Sequence, residues 1–174
     1  MTRPYIKLSL VKVSLVLTLA CIQAACAWGP TKGKRYMDRY PTGGYHIGLD
    51  LYGSVGTEVV AARDGQVVWA QPQDGAVAPR LTIDYEWNGK EYQTQYYHIA
   101  DPLVKKGDFV KQGQVVARLA LTGERGPFDR RTIEIPHLHL DFYVDGARKD
   151  PEIVKWECPS KERPRVEWFW PVGC

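Results

Sequence analysis

An all-β fold follows from three features of this sequence. Apolar and polar residues alternate in several short stretches, among them Tyr45–Leu51, Tyr92–Ile99 and His137–Val144, as half-buried strands require. Glycine, proline and tyrosine are plentiful, at 16, 12 and 10 residues, and the first two punctuate the alternating stretches with turn dipeptides such as Asn88-Gly89. No long helical periodicity competes, so few or no helices are expected beyond the N-terminus. A chain of 174 residues suits one domain and is long enough to bury a core unaided.

Residues 1–27 stand apart. Arg3, Lys7 and Lys12 precede the apolar run Val13–Ala20, and small residues follow at Ala24, Ala25 and Ala27. This is the pattern of a signal peptide, too short between its flanks for a permanent membrane anchor. Ala25-Cys26-Ala27 offers an A-x-A cleavage site that would leave Trp28 first. The rival is lipoprotein processing with a lipid anchor at Cys21 or Cys26, although Thr18 and Gln23 replace the leucine usual before such a cysteine. The whole chain carries 23 Lys+Arg against 20 Asp+Glu. Its three leader cations have no acidic counterpart, so the mature chain is close to neutral. Nucleic acid is therefore not an expected partner.

The elements follow in order. Residues 28–43 read as an irregular approach segment ending in the turn Pro41-Thr42-Gly43-Gly44. In an extended Tyr45–Leu51, His46, Gly48 and Asp50 share one face, and the glycine leaves room for a metal against the backbone. Gly56–Ala62 and Gln66–Ala70, joined at Arg63-Asp64-Gly65, are expected to form a hairpin. Leu81–Tyr85 and Tyr92–Ile99 are expected to form another, turned at Asn88-Gly89, with Thr94, Tyr96 and His98 on one face. Val104–Val116 places glycine turns before short β runs. The charged stretch between Gly123 and Pro136 reads as a loop beside a site, able to shape access to it. Pro136–Val144 is a strand whose alternation turns His137 and His139 to the same side. Export would place Cys158 and Cys174 in an oxidising compartment, where they are expected to pair. Such a bridge would tether the aromatic tail Trp168-Phe169-Trp170 within residues 152–174.

The chain has four histidines: His46, His98, His137 and His139. A catalytic zinc site uses three protein ligands and leaves a position for water. His46 and Asp50, with either His137 or His139, would complete one, and spacing alone does not choose between the two. The remaining imidazoles titrate near neutrality and could move protons. No His-Glu-x-x-His helix or Gly-x-Ser-x-Gly turn is present, and neither mature cysteine lies in a His-containing pattern. Those absences argue against a Glu-based metalloprotease, a serine nucleophile and a thiol nucleophile.

Three blocks in this order, His46-x-Gly48-x-Asp50, Thr94-x-Tyr96-x-His98 and Pro136-His137-Leu138-His139, resemble the signatures of the lysostaphin-type zinc endopeptidases. The text between them agrees: Gly56-Thr57, Val60-Ala61, Asp64-Gly65, Gly107-Asp108, Val110, Gly113-Gln114 and Thr122-Gly123. The resemblance spans residues 44–151. It implies an antiparallel β-sandwich with an open groove holding one Zn2+ per chain. It further implies that His46, Asp50 and His139 are the metal ligands, and that His98 and His137 are catalytic. The implied substrate is the peptide part of bacterial peptidoglycan, in keeping with an exported chain. Two departures are visible. Ala117 and Ala120 replace glycines frequent in the family, and the Gly123–Pro136 loop is longer than usual. The alternative within the family is a non-catalytic member that binds the cell wall or activates a wall amidase. Such members lose ligands, whereas all five residues are present here. A biotinyl- or lipoyl-type carrier, suggested by Val104–Val116, would need a lysine at a hairpin tip, a setting Lys105-Lys106 lack.

Overall fold

The computed structural model describes residues 29–72, 79–121, 135–161 and 163–174. The 1–27 leader with Cys21 and Cys26, and nearly all of the Gly123–Pro136 loop, lie outside them. The described chain is all-β. Its strands are β1 (Leu49–Tyr52), β2 (Glu58–Val60), β3 (Gly65–Gln71), β4 (Arg80–Trp87), β5 (Lys90–Tyr97), β6 (Phe109–Val110), β7 (Val115–Arg118), β8 (His137–Val144), β9 (Ala147–Lys149), β10 (Trp156–Glu157) and β11 (Trp168–Phe169). The one 3-10 turn among the described residues, Pro151–Ile153, is capped by the Asp150 carboxylate, which accepts from the Glu152 N–H. Among the described residues no helix is long and apolar enough to cross a membrane.

A large antiparallel sheet in the order β1-β8-β5-β4-β3-β6, with β9 also on β8, carries the site. The antiparallel pair β2-β7 packs below it, and β10-β11 form a short parallel pair. The lower face of the large sheet is apolar: Leu49 and Leu51, Leu81, Ile83 and Tyr85, then Leu138, Leu140 and Phe142 are all buried. The β4–β5 hairpin forms as the sequence predicts, with Asn88 (φ 50°) and Gly89 (φ 71°) both left-handed, as the tight turn between twisted strands demands.

The expected hairpin over Gly56–Ala70 does not form. β2 pairs with β7, whereas β3 pairs with β4 and β6. The chain crosses from the small sheet to the large one at Arg63-Asp64-Gly65. Asp64 ties this corner to the neighbouring turn by accepting from the Gln112 N–H at 2.8 Å. Gly65 lets the backbones close up, since a Cβ there would stand 2.4 Å from the Asp84 carbonyl oxygen.

The aromatic tail is part of the core. Trp168 is fully buried, with ring centroids of Tyr92, Phe142 and Tyr85 at 5.0, 5.3 and 5.7 Å. Trp170 stacks on Trp156 at 5.2 Å. Backbone bonds from Phe169 to Ala62 and from Val60 to Pro171 join the tail to the β2 segment. Cys158 and Cys174 are disulfide-bonded, closing a loop whose constraint is worth about 3 kcal/mol on the chain-entropy account.

Candidate metal centre

His46 lies before β1 and outside any strand, contrary to the expected extended run from Tyr45. The approach segment holds it. Residues 31–34 run along β1, with Gly33 donating to the Asp50 carbonyl and Asp50 to the Lys34 carbonyl. The chain then doubles back so that the His46 N–H donates to Asp38 O and its carbonyl accepts from Met37 N. Its ring Nδ1 lies 3.0 Å from the Arg35 carbonyl. A carbonyl only accepts, so Nδ1 carries the proton and Nε2 presents a bare lone pair.

Asp50 on β1 stands directly across from His139 on β8. His139 Nε2 lies 3.1 Å from Asp141 Oδ1, and donating there leaves Nδ1 bare toward Asp50. The three facing atoms form a nearly equilateral triangle. His46 Nε2 is 2.9 Å from His139 Nδ1 and 3.0 Å from Asp50 Oδ1, and His139 Nδ1 is 3.1 Å from Asp50 Oδ1. All three residues are buried, and they form a group whose donor atoms could hold one metal ion. Three lone pairs converging in a buried place repel one another unless a cation joins them. Two imidazole nitrogens and a carboxylate oxygen, each His fixed through its other nitrogen, are the donor set and outer support of a zinc site with an open position. The residues fit the metal.

The electrostatics agree. Burial pushes the Asp50 carboxyl up, but hydrogen bonds accepted from His139 and His46 when those facing nitrogens carry protons, with the charge of His137, outweigh it and hold it far below the usual range. Burial works against a charged His139, yet hydrogen bonds to Asp141 and Asp50 raise it to about 9.

Gly48 does not leave open space for metal. A Cβ there would lie 2.7 Å from His139 Nε2 and 2.8 Å from Asp141 Oδ1, so the glycine makes room for the His139–Asp141 hydrogen bond. Asp141, 1% exposed, is the functional residue the sequence reading passed over. Its other oxygen accepts from Arg148 at 3.0 Å. The signal was present: two residues after His139 on a strand, it shares that face.

His137 begins β8 and is less buried than His139. Its Nδ1–H donates to Ile135 O at 2.8 Å, and Nε2 lies 3.6 Å from Asp50 Oδ1. His98 departs from the expected strand face. Thr94 and Tyr96 point into the core, where both bond the Tyr85 hydroxyl. β5 stops at Tyr97, and His98 takes a left-handed conformation with φ 60°, uncommon for a non-glycine residue and worth of order 1–3 kcal/mol of strain. The reversal brings its ring to 4.7 Å from that of His137 and 6.1 Å from that of His139. Bonds from Ala120 N to His98 O and from Ala100 N to Arg118 O hold the kink. The structure therefore brings all five predicted site residues to one end of the large sheet.

The antiparallel sheet thus carries a buried His/Asp/His triangle fit for a metal ion, with two further histidines beside it. Residues 44–151 match the sequence profile of Peptidase family M23, and the chain belongs to that family. An uncharacterized metalloprotease of Haemophilus influenzae is 37% identical over 110 residues, 63% of this chain and 21% of that protein. Peptidoglycan DD-endopeptidase ShyC of Vibrio cholerae is 34% identical over 112 residues, 63% of this chain and 23% of that protein. The chain thus spans less than a quarter of the length of these relatives. Among solved structures, the catalytic domain of lysostaphin from Staphylococcus simulans superposes with a TM-score of 0.56 at 29% identity, covering 71% of this chain and 90% of that one.

Proposed function

We propose that this chain is an exported zinc-dependent endopeptidase that hydrolyses amide bonds in peptidoglycan stem peptides or cross-links. The observation that carries the reading is the triangle of His46 Nε2, Asp50 Oδ1 and His139 Nδ1, with sides of 2.9–3.1 Å. These residues are assigned as the ligands of one Zn2+. Held there, a zinc ion would supply Lewis acidity for polarising a carbonyl and for acidifying water. The chain's own residues do the rest. His137, anchored through Nδ1–H, presents Nε2 toward the triangle and can accept a proton there and return it to the leaving amine. His98, beside it, can hold a proton toward the oxygen on which negative charge develops. Asp141 and Arg148 keep His139 in the tautomer that leaves Nδ1 free.

The names of the relatives, a metalloprotease and a DD-endopeptidase, support this activity. The leader pattern of residues 1–27 supports export, with lipid anchoring at Cys21 or Cys26 as the alternative. Within the chain we assign 28–43 as the approach segment, 44–151 as the peptidase domain and 152–174 as its tethered tail. The test is elemental analysis of the purified mature protein, together with mass spectrometry of peptides released from purified peptidoglycan. One zinc per chain and release that stops with chelator and resumes with Zn2+ are expected. Zinc-loaded protein that releases no peptide contradicts the reading, and one that only stimulates a wall amidase is a regulator instead.

A further inference from the structure

The segment that fixes His46 is itself held from the other end of the chain. Along β1 its backbone is pinned three times: Tyr52 N donates to Thr31 O at 2.9 Å, Gly33 N to Asp50 O at 2.8 Å and Asp50 N to Lys34 O at 2.9 Å. Past Lys34 it turns. The Asp38 carboxylate accepts from the Arg35 N–H at 2.7 Å, and the Arg35 carbonyl accepts both the Asp38 N–H and the His46 Nδ1–H. Neutral imidazole has two tautomers, and only the one protonated on Nδ1 presents a lone pair at Nε2. The place of this one carbonyl therefore decides how much of His46 is ready for a metal.

Glu152 reaches that place. It is the first residue beyond the stretch 44–151 that matches the family. One of its oxygens accepts from Lys32 Nζ at 2.5 Å, and the other lies 3.6 Å from Arg35 Nε. A single carboxylate thus spans the run along β1 and the residue whose carbonyl meets His46. Glu152 is fixed in its turn. Its N–H donates to Asp150, and the carbonyl of the buried Pro151 accepts from the Trp156 indole N–H at 2.7 Å. From the far side, the Lys32 ammonium lies 5.2 Å over the Trp170 ring, which stacks on Trp156. Fully exposed ion pairs are screened by water and salt and contribute little. The Lys32 and Glu152 side chains are only 31% and 25% exposed, and each is braced by a ring or a cap, so the pair defines a position.

We propose that Glu152 is a positioning residue for the metal centre. By holding Lys32 and Arg35 it sets the Arg35 carbonyl against His46 Nδ1–H, and so keeps His46 Nε2 aimed at Asp50 and His139. The inference rests on the metal-ligand reading above. Its consequence is that zinc affinity depends on a contact between two segments that both lie outside the matched domain.

The test measures zinc affinity by chelator competition on the purified mature protein. Glu152→Ala and Lys32→Ala should each weaken zinc by about 3- to 10-fold, less than the roughly 10- to 100-fold typical of a group bonded directly to a metal-binding histidine. Glu152→Gln keeps the shape and should lose less. The sign for Lys32 separates positioning from simple charge, because removing a nearby cation would tighten zinc through the field alone. The double variant should lose no more than either single one. Ile83→Ala, which removes buried packing on β4, should lower stability yet keep wild-type zinc affinity. With Co2+ as a visible probe, Glu152→Ala should change the absorption of the bound ion and Ile83→Ala should not. Undiminished zinc affinity in Glu152→Ala, tighter zinc in Lys32→Ala, or an equal loss in Ile83→Ala overturns the proposal. Should Glu152→Ala fail to fold, Glu152→Gln and Lys32→Ala decide. Should wild type bind no zinc, the ligand assignment falls on its own. Nitrogen NMR of the His46 ring then decides the positioning role: a shift of the tautomer balance away from Nδ1–H in Glu152→Gln supports it, and an unchanged spectrum refutes it.

Discussion

The two faces of β8 show how one strand divides chemistry from stability. His137, His139, Asp141 and Tyr143 look onto the open face, where they meet Asp50, His98 and Arg148. Leu138, Leu140, Phe142 and Val144 alternate with them and are buried in the core. Side chains of successive strand residues point to opposite faces, so a shift of register by one would exchange the two sets and destroy both. Two of the three proposed ligands, Asp50 and His139, stand on strands whose other side is a packed core, and the third, His46, is fixed by backbone groups of the approach segment. The separation predicts two sorts of mutant.

The largest effect is expected among the histidines beside the triangle. His98→Ala and His137→Ala should keep zinc and fold, yet fall by at least about a hundredfold in kcat/KM on peptidoglycan peptides, the scale of acid–base and oxyanion groups. A zinc-loaded His98→Ala enzyme cutting at wild-type rate would remove His98 from the mechanism. On the opposite face, Trp168→Ala should lower unfolding free energy by about 3–5 kcal/mol, read by denaturant titration, while protein still folded binds zinc as before.

Much of this division is legible in the sequence. Alternation in Pro136–Val144 gives both faces of β8, and Asn88-Gly89 gives the β4–β5 hairpin, because both depend on residues adjacent in the chain. What is hidden depends on partners far away. The Gly56–Ala70 run has the pattern of a hairpin, but β2 finds β7 and β3 finds β4, a choice made by the two-layer core. The reversal at His98 is backbone strain held by the segment after β7, and no local residue announces it. The role of residues 31–38 in covering β1 and fixing His46 is carried by backbone groups, which any sequence can supply. Trp168 looked like a peripheral tail residue because its partners lie on β4, β5 and β8.

Two smaller effects sharpen the comparison. Asp141→Asn keeps an acceptor for His139 Nε2–H but removes the charge, and zinc affinity should weaken by about 10- to 100-fold in a chelator competition, with little change in unfolding. Asp64, remote from the metal, acts through stability alone. Its carboxyl is lowered chiefly by the Gln112 N–H, with Lys111 adding to it against mild burial. A depressed carboxylate contributes stability above its unfolded pKa near 3.9, and loses it as pH falls through the folded value. Asp64→Asn should therefore lower Tm by a few degrees at neutral pH, and the gap should close as the solution is acidified below pH 4. A gap that persists there would assign the loss to shape and not to charge.

The most direct test of the account pairs neighbours on β8. Zinc content and unfolding free energy would be measured for His139→Ala and Leu140→Ala beside wild type. The expected result is a folded His139→Ala protein without stoichiometric zinc. Its partner Leu140→Ala should bind zinc when folded but be about 2–5 kcal/mol less stable. Full zinc in His139→Ala would contradict the ligand assignment and, with it, the division of the strand into a chemical face and a structural one.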